Sequence, residues 1–373
     1  MIKKYKPSCS KELRELVKDE SVCLGDIDTS LITDMSWLFC DSIRMDFDGL
    51  ETWDTSNVTT MERMFHRAKY FNHPIGSWDV SSVTNMECIF CGCSNFNQPL
   101  GDWDVSSVTN MESMFGTCGK FNQPLNGWNV SNVRKISCMF CEAANFDQPL
   151  DQWDTSEVRE MAWTFAGCTK FNQNIGMWNT SNVTRMEGMF EGAVRFNQPL
   201  NDWDVSNVRY MLRMFDGAKS FNQPLDRWNV SRVEDAERMF KNARSFSQPL
   251  DTWLIPRFCD VSNMFLYTPK FTDVKTLTLC FHFATKKNCR ARLKEKLDKL
   301  PPAEVYTELS RYGSEHTAEY MRELETAHPE LTGSVRTNVG DVKHKPRSKR
   351  ELIELLDMGA KMPLAGIDTS LIT

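Results

Sequence analysis

The sequence predicts an α/β solenoid, a stack of about ten coils of 25 residues with one short strand and one short helix in each. The leading observation is a tryptophan at every 25th position, nine times in succession. Two series of phenylalanines, one from Phe65 to Phe265 and one from Phe71 to Phe271, keep the same period. A fixed period of about 20 to 50 residues is typical of repeat architectures, in which each unit buries its apolar face against its neighbours. The periodic tryptophans are Trp53, Trp78, Trp103, Trp128, Trp153, Trp178, Trp203, Trp228 and Trp253.

Each unit is too short for a pair of helices or for a four-stranded propeller blade. It fits one strand and one helix, as in leucine-rich repeats. The helix is predicted from Val108 to Cys118, because apolar residues recur there at helical spacing. The strand is predicted in the motif FNQPL and the tryptophan that follows it. We expect this strand to be short, since proline has no N–H to donate to a ladder.

The residues before the repeats predict a capping helix within residues 1–24. Leu13, Leu16 and Val17 stand at helical spacing among charged residues, so one apolar face can cover the first coil. A repeat array needs such a terminal unit because its end coil otherwise exposes an apolar surface. The repeats themselves are predicted to span residues 25–272.

The residues after the repeats predict a different organisation. Residues 273–332 are charged and helix-prone, and Pro301–Pro302 interrupt them, so we expect two or three flanking helices. A polar linker is predicted at residues 333–347. Residues 348–373 copy the lead-in at residues 10–33 and stop within the motif. We therefore expect a truncated tandem or a fragment of a longer protein.

Polar residues share the period and suggest two interpretations. One is that they cap helices and bond turn backbone in coil after coil. The other is a calcium ladder built on the aspartates that follow tryptophan, but asparagines interrupt that series and no second carboxylate shares its phase. We favour the first interpretation. The aspartates are Asp54, Asp79, Asp104, Asp154 and Asp204, interrupted by Asn129, Asn179 and Asn229.

The chain has 13 cysteines, and three of them have a plain structural interpretation. Cys93, Cys118 and Cys168 occupy a phase otherwise filled by alanine, so we expect them to be small buried residues. Two CxxC pairs remain, Cys88–Cys91 and Cys138–Cys141. They are 50 residues apart, hence two coils, which is about 10 Å or more and too far for four sulfurs to share one zinc ion.

Motifs for catalysis are absent from the sequence. Its six histidines form no recognisable nucleophile motif with serine or cysteine, and no P-loop, HExxH or GxGxxG occurs. The sequence therefore predicts a protein that is not an enzyme, with no catalytic, cofactor-binding or metal-ligating residue and no cofactor. An enzyme with its chemistry in residues 273–345 is the remotest alternative.

Charge and hydropathy restrict the kinds of partner that are expected. Residues 25–150 carry 16 acidic and 7 basic side chains, so nucleic acid is an unsuitable partner and a basic protein patch a suitable one. No apolar run is long enough to cross a membrane, so no membrane insertion is expected. The N-terminal residues are basic without an apolar segment, which predicts no secretory signal.

The order MF…FNQPL…WDVSNV in residues 189–208, and the same order with WNVSNV in residues 114–133, resembles the BspA-like surface-protein repeats of the 25-residue class also seen in mycoplasma lipoproteins. The resemblance covers about residues 25–272. It implies a right-handed, leucine-rich-repeat-like solenoid that is often exposed at the cell surface and acts in adhesion and protein binding. The missing signal and the many thiols favour the cytoplasm instead. The leading interpretation is thus a non-catalytic protein that binds other proteins through an extended surface, and the alternative is an intracellular scaffold or secreted effector.

Overall fold

The computed structural model describes residues 3–283, 287–312 and 314–331. These residues form two compact units. Among them, the first unit holds residues 3–256 and 263–271, and the second holds residues 257–262 and those from 272 onward. The predicted linker at residues 333–347 and the predicted copy of the lead-in at residues 348–373 lie outside the described residues.

Helix α1, Ser10–Lys18, precedes the repeats. Its start is fixed by Glu12, whose carboxylate accepts hydrogen bonds from the backbone N–H and the hydroxyl of Ser8 at 2.7 and 3.0 Å. Leu13 and Val17 are buried on one face of the helix. Single 3₁₀ turns follow at Leu24–Asp26 and Leu50–Thr52.

The repeats stack through a regular backbone pattern. Alternate amides from Met111 to Thr117 donate to carbonyl oxygens of the next coil, 24 residues ahead, at 2.6–3.0 Å. Between them, the amides of Met114 and Gly116 donate to the carbonyl three residues earlier in their own coil, and that of Glu112 donates to Asn110 Oδ1. The same alternation recurs along the first unit, so each coil is hydrogen-bonded to the coil that follows it.

This alternation replaces the helix predicted from Val108 to Cys118. The structure has a run of turns there, so that prediction is wrong for this segment. Ser113 and Thr117 have φ of 55° and 58°, in the left-handed region that breaks a right-handed helix. Positive φ recurs at the same two positions in each of the ten coils, from Trp37 and Asp41 to Asn263 and Tyr267. The strain is offset by the bonds between coils that this backbone makes.

The strand predicted in FNQPL is also misplaced. Within the described repeats that motif forms no strand. Parallel bridges instead connect the residues just before the turns, as from Asn85 to Asn110 and from Asn110 to Lys135. They continue one per coil from Asp34 to Asp235. The proline of FNQPL cannot donate to a ladder, which is the physical reason for the shift.

The core consists of columns of the same side chain. The ring centroid of Phe140 lies 5.7 Å from Phe115 and 5.7 Å from Phe165, its equivalents in the neighbouring coils. Within its own coil Phe140 stacks on Phe146 at 4.0 Å. Each periodic tryptophan donates its indole N–H to a carbonyl of the preceding coil, as Trp153 does to Leu125 at 3.0 Å. These rings are buried, so each coil completes the core of its neighbours.

The cysteines in the alanine phase are buried, which confirms the sequence prediction for them. Each also has a role that alanine cannot fill. The thiols of Cys93, Cys118 and Cys168 donate to a phenylalanine carbonyl of the preceding coil, at 2.9, 3.0 and 2.9 Å.

The periodic asparagines bond the next coil. Asn122 Oδ1 accepts a hydrogen bond from the backbone N–H of Asp147 at 2.9 Å and from the side chain of Gln148 at 3.1 Å. Asp147 takes the place of asparagine in the next coil and accepts from Asn172 N–H in the same way. The aspartates after tryptophan bond their own turn, as Asp54 Oδ1 accepts from the N–H and hydroxyl of Ser56. The bonding interpretation of these polar columns is therefore confirmed.

We predict that Asn122→Ala lowers the free energy of unfolding by about 1–2 kcal/mol, because it leaves the half-buried N–H of Asp147 without its acceptor. Asn122→Asp keeps an acceptor oxygen, as Asp147 does naturally, and should cost less than half as much. Urea denaturation of the two variants and the wild type checks this. Equal losses from alanine and aspartate would contradict the role of the oxygen.

The second unit contains four described helices: α2 (Val274–Phe283), α3 (Lys287–Leu297), α4 (Pro302–Leu309) and α5 (Glu315–Ala327). Helix α4 begins with proline at its first turn, where a missing N–H costs nothing. Helix α2 contacts each of the other three helices. No helix among the described residues is long and apolar enough to span a membrane.

Candidate functional site

The turns bring a variable set of side chains to the surface. In the coil after Trp53, the residues at 61, 64, 65 and 68 are buried, whereas Glu62, Arg63, His66 and Arg67 lie between them at the surface. We call these four positions and their equivalents at 25-residue intervals, up to residue 242, the turn face. Buried positions repeat nearly unchanged, but turn-face positions do not. The residues equivalent to Arg63 are Cys88, Ser113, Cys138, Trp163, Gly188, Arg213 and Arg238.

The ends of the turn face carry paired charges. Arg63 lies 3.3 Å from the Glu87 carboxylate, and its guanidinium stacks 4.6 Å from the ring centroid of Trp37. Further along, Lys241 pairs with Asp216 at 3.3 Å. The partly exposed Arg63–Glu87 pair contributes little to stability, so its main effect is on the surface potential.

The middle of the turn face is acidic. From residue 87 to residue 142 its positions hold Glu87, Glu112 and Glu142 and no lysine or arginine. Burial, and then the negative charge of Glu87, raise the pKa of Glu112. This stretch is therefore suited to a cationic group of a partner, which would stabilise the carboxylate of Glu112.

A histidine and two cysteines meet on the same face. The ligand atoms of His66, Cys88 and Cys91 lie within 4.8 Å of one another. His66 and Cys91 occupy equivalent positions in neighbouring coils, and Cys88 lies one turn before Cys91 with φ of 54°. We call these three residues the His66 cluster. The sequence analysis assigned no ligand role to any of them.

The electrostatics of the His66 cluster shift the pKa of each of its three side chains. A hydrogen bond from the Cys91 thiol, aided by Arg63, lowers the pKa of Cys88 to about 7. The same hydrogen bond raises the pKa of Cys91. Burial, and then Arg67, lower the pKa of His66, which favours the neutral imidazole. His66 Nδ1 is buried and has no hydrogen-bond partner.

The second CxxC pair lies outside the His66 cluster. Cys141 donates to Cys138 and lowers its pKa, as in the first pair. In the coil before it, however, Gly116 stands at the position equivalent to His66. The two pairs thus share a spacing but differ in their third neighbour.

The helical unit brings a serine between two histidines. Ser314 Oγ lies 3.1 Å from His282 Nδ1 and 3.3 Å from His316 Nε2. Burial lowers the pKa of His282 to about 4. His316 Nε2 also lies within hydrogen-bond distance of the carbonyls of Phe281 and His282. Within the described residues neither histidine makes a hydrogen bond to a carboxylate, so the third member of a nucleophile triad is missing there.

Three overlapping segments of the chain match the family model described as "Mycoplasma protein of unknown function, DUF285": residues 11–103, 74–176 and 159–277. Together they span residues 11–277, more than half of the chain. The chain belongs to the DUF285 family. No curated protein and no solved structure matches the chain. The match supports a repeat protein of a mycoplasma-type family. This assignment is coarser than the resemblance to BspA-like leucine-rich repeats.

Two signals in the DUF285 repeats could have revealed what the sequence analysis missed. His66 stands 25 residues before Cys91, so the period alone places it beside the first CxxC pair. Glycine recurs at one turn-face position, which marks the left-handed backbone that excludes a helix. These glycines are Gly92, Gly167, Gly192 and Gly217.

Proposed function

We propose that the chain is a non-catalytic repeat protein that binds another protein through its turn face. The observation that carries this proposal is the contrast between the two kinds of position. Buried phenylalanine, tryptophan and valine repeat from coil to coil, whereas adjoining turn-face residues include a tryptophan, glycines, cysteines and both signs of charge. The fold requires the buried residues to stay the same from coil to coil, whereas recognition of a partner requires the turn-face residues to be free to vary.

We also propose that the coils form a solenoid of the right-handed, leucine-rich-repeat-like kind and that the relationship to BspA-like repeats holds. Hydrogen bonds that run from each coil to the next support the stacked part of this proposal. By that resemblance the protein would act as an adhesin at the cell surface. The alternative is an intracellular scaffold or secreted effector with the same binding surface, and cell fractionation distinguishes the two.

The acidic middle of the turn face favours a partner with a basic patch. Glu87, Glu112 and Glu142 stand there, and no turn-face position from 87 to 142 holds a lysine or arginine. Charge complementarity of this kind increases the association rate and excludes partners of like charge, including a phosphate backbone.

Site-specific photocrosslinking in the native cells tests the turn face. The photoreactive residue benzoylphenylalanine replaces Glu142 on the turn face or, as a matched control, Glu157, an exposed glutamate outside it. We expect a discrete protein adduct at position 142 that is at least severalfold stronger than at position 157. Mass spectrometry of the adduct identifies the partner. Equal adducts at both positions, or none at position 142, would contradict the proposal.

A further inference from the structure

We infer that His66, Cys88 and Cys91 form a zinc site that joins two neighbouring coils. This inference does not depend on the proposed binding function. Two thiolates and an imidazole are the donors that Zn²⁺ prefers in proteins, and these three meet across a coil boundary.

The distances suit a tetrahedral ion. Zinc–sulfur bonds of about 2.3 Å and zinc–nitrogen bonds of about 2.0 Å place the donor atoms of a tetrahedral site roughly 3.5–3.8 Å apart. The three donor atoms lie within 4.8 Å of one another, so a contraction of about 1 Å by side-chain rotation suffices.

His66 supplies an independent observation. Its Nδ1 is buried and has no hydrogen-bond partner, and a buried polar atom in that state requires an explanation. A metal ion in the plane of the imidazole ring, on the side of Cys88 and Cys91, would supply a partner for this nitrogen. The neighbouring Arg63 guanidinium is a donor that could bond this nitrogen, but it pairs with Glu87 instead.

The charges balance at this site. Two thiolates neutralise Zn²⁺, and the imidazole adds no charge. Arg63 beside Cys88 adds a positive charge, but Glu62 and Glu87 lie 3.9 and 3.3 Å from its nitrogen atoms and offset it. The site therefore binds the ion without a large unpaired charge in a half-buried position.

The next coil leaves space beside the Cys91 thiol. Gly116 is the residue there that is equivalent to Cys91, and a Cβ on Gly116 would lie only 3.3 Å from Cys91 Sγ. The absence of a side chain leaves that space to a water molecule or to a donor from a partner. Three protein ligands with an open fourth position are a common arrangement for zinc.

The chain contains its own control for this inference. Cys138 and Cys141 have the same CxxC spacing on the same face, but glycine replaces histidine in the coil before them. A pair of thiolates alone should hold zinc much more weakly than two thiolates and an imidazole.

The test uses the full chain, reduced with a phosphine and loaded with Zn²⁺ or Co²⁺. We expect one zinc per chain by elemental analysis and thiolate-to-cobalt charge-transfer absorption with Co²⁺. The C88S/C91S variant should lose both signals, His66→Gln should weaken affinity by about tenfold or more, and C138S/C141S should keep both. A disulfide between Cys88 and Cys91 that forms in preference to the metal site even with reductant present would overturn the inference.

Alkylation of the wild type decides the question if the serine variants fail to fold. Bound zinc should slow the alkylation of Cys88 and Cys91 by about tenfold or more, as peptide mass spectrometry measures, and leave Cys138 and Cys141 unchanged. The inference is overturned if the reduced chain binds no zinc. It is equally overturned if zinc protects both pairs alike or if C138S/C141S loses as much metal as C88S/C91S.

Discussion

Phe140→Ala is expected to lower the free energy of unfolding by about 3–5 kcal/mol. Phe140 is fully buried and stacks on Phe146 in its own coil. It also lies between the equivalent rings Phe115 and Phe165, each 5.7 Å away between centroids. Removing the ring leaves a cavity that touches three coils at once. Main-chain hydrogen bonds fix the spacing of those coils, so they cannot close it.

The matched control for Phe140 is Lys135→Ala in the same coil. Lys135 makes its bridges through the backbone and exposes its side chain, so the change should stay within about 0.5 kcal/mol. Urea denaturation followed by tryptophan fluorescence measures both variants, and hydrogen exchange locates the loss. We expect it to concentrate around the altered coil, since each coil contacts only its neighbours. Equal effects of the two substitutions would contradict the columnar core.

The burial pattern of the repeats could be read from the sequence, but their backbone could not. Met111, Met114, Phe115 and Cys118 show helical spacing and are all buried, as a helix would require. A run of turns with two left-handed residues four positions apart buries the same residues. The choice between the two rests on hydrogen bonds to the next coil, which a local pattern does not contain. Positive φ at Ser113 and Thr117 carries no local signal either, because neither residue is glycine.

The candidate metal site was missed for a related reason. The two CxxC pairs lie two coils apart, as the period predicts. The period also places Arg63 and His66 in the phases of the first pair, but charged and polar residues there predict only an exposed position. His66 meets Cys91 only because the coils stack in register, so the contact is a property of the array. Periodic sequences thus contain more tertiary information than their motifs suggest, provided that each residue is compared with the one 25 positions away.

The N-terminal segment supplies hydrogen-bond donors to the first coil, whereas every other coil receives them from the coil before it. In the repeats, carbonyl oxygens of each coil accept from amides of the coil before it. The first coil has no predecessor. Side chains of helix α1 take that role: the Ser10 hydroxyl donates to Asp34 O at 2.5 Å, and the Arg14 guanidinium donates to Ser36 O at 2.8 Å. The helix therefore matches the hydrogen-bonding edge of the stack as well as its apolar face.

Arg44 connects this helix to the first coil through hydrogen bonds. Arg44 is buried and donates to the carbonyls of Val17, Val22 and Asp46 at 3.3, 3.0 and 2.6 Å. Without the N-terminal segment two of those three acceptors disappear, and a buried guanidinium is left poorly paired. Unpaired buried charge is among the most destabilising changes in a folded protein.

Deletion of residues 1–22 is therefore expected to destabilise the first unit by several kcal/mol and to promote aggregation. It removes the buried Leu13 and Val17, orphans the carbonyls of Asp34 and Ser36, and exposes a hydrogen-bonding edge to other chains. The matched control deletes residues 204–228, one whole repeat, which joins Trp203 to Asn229 in register. That control removes a similar length but only one coil interface, and it leaves both ends of the stack intact. Thermal unfolding and light scattering compare the two proteins. If the internal deletion proved as damaging as the N-terminal one, or if the shortened N-terminus stayed monomeric and stable, α1 would not act as the cap.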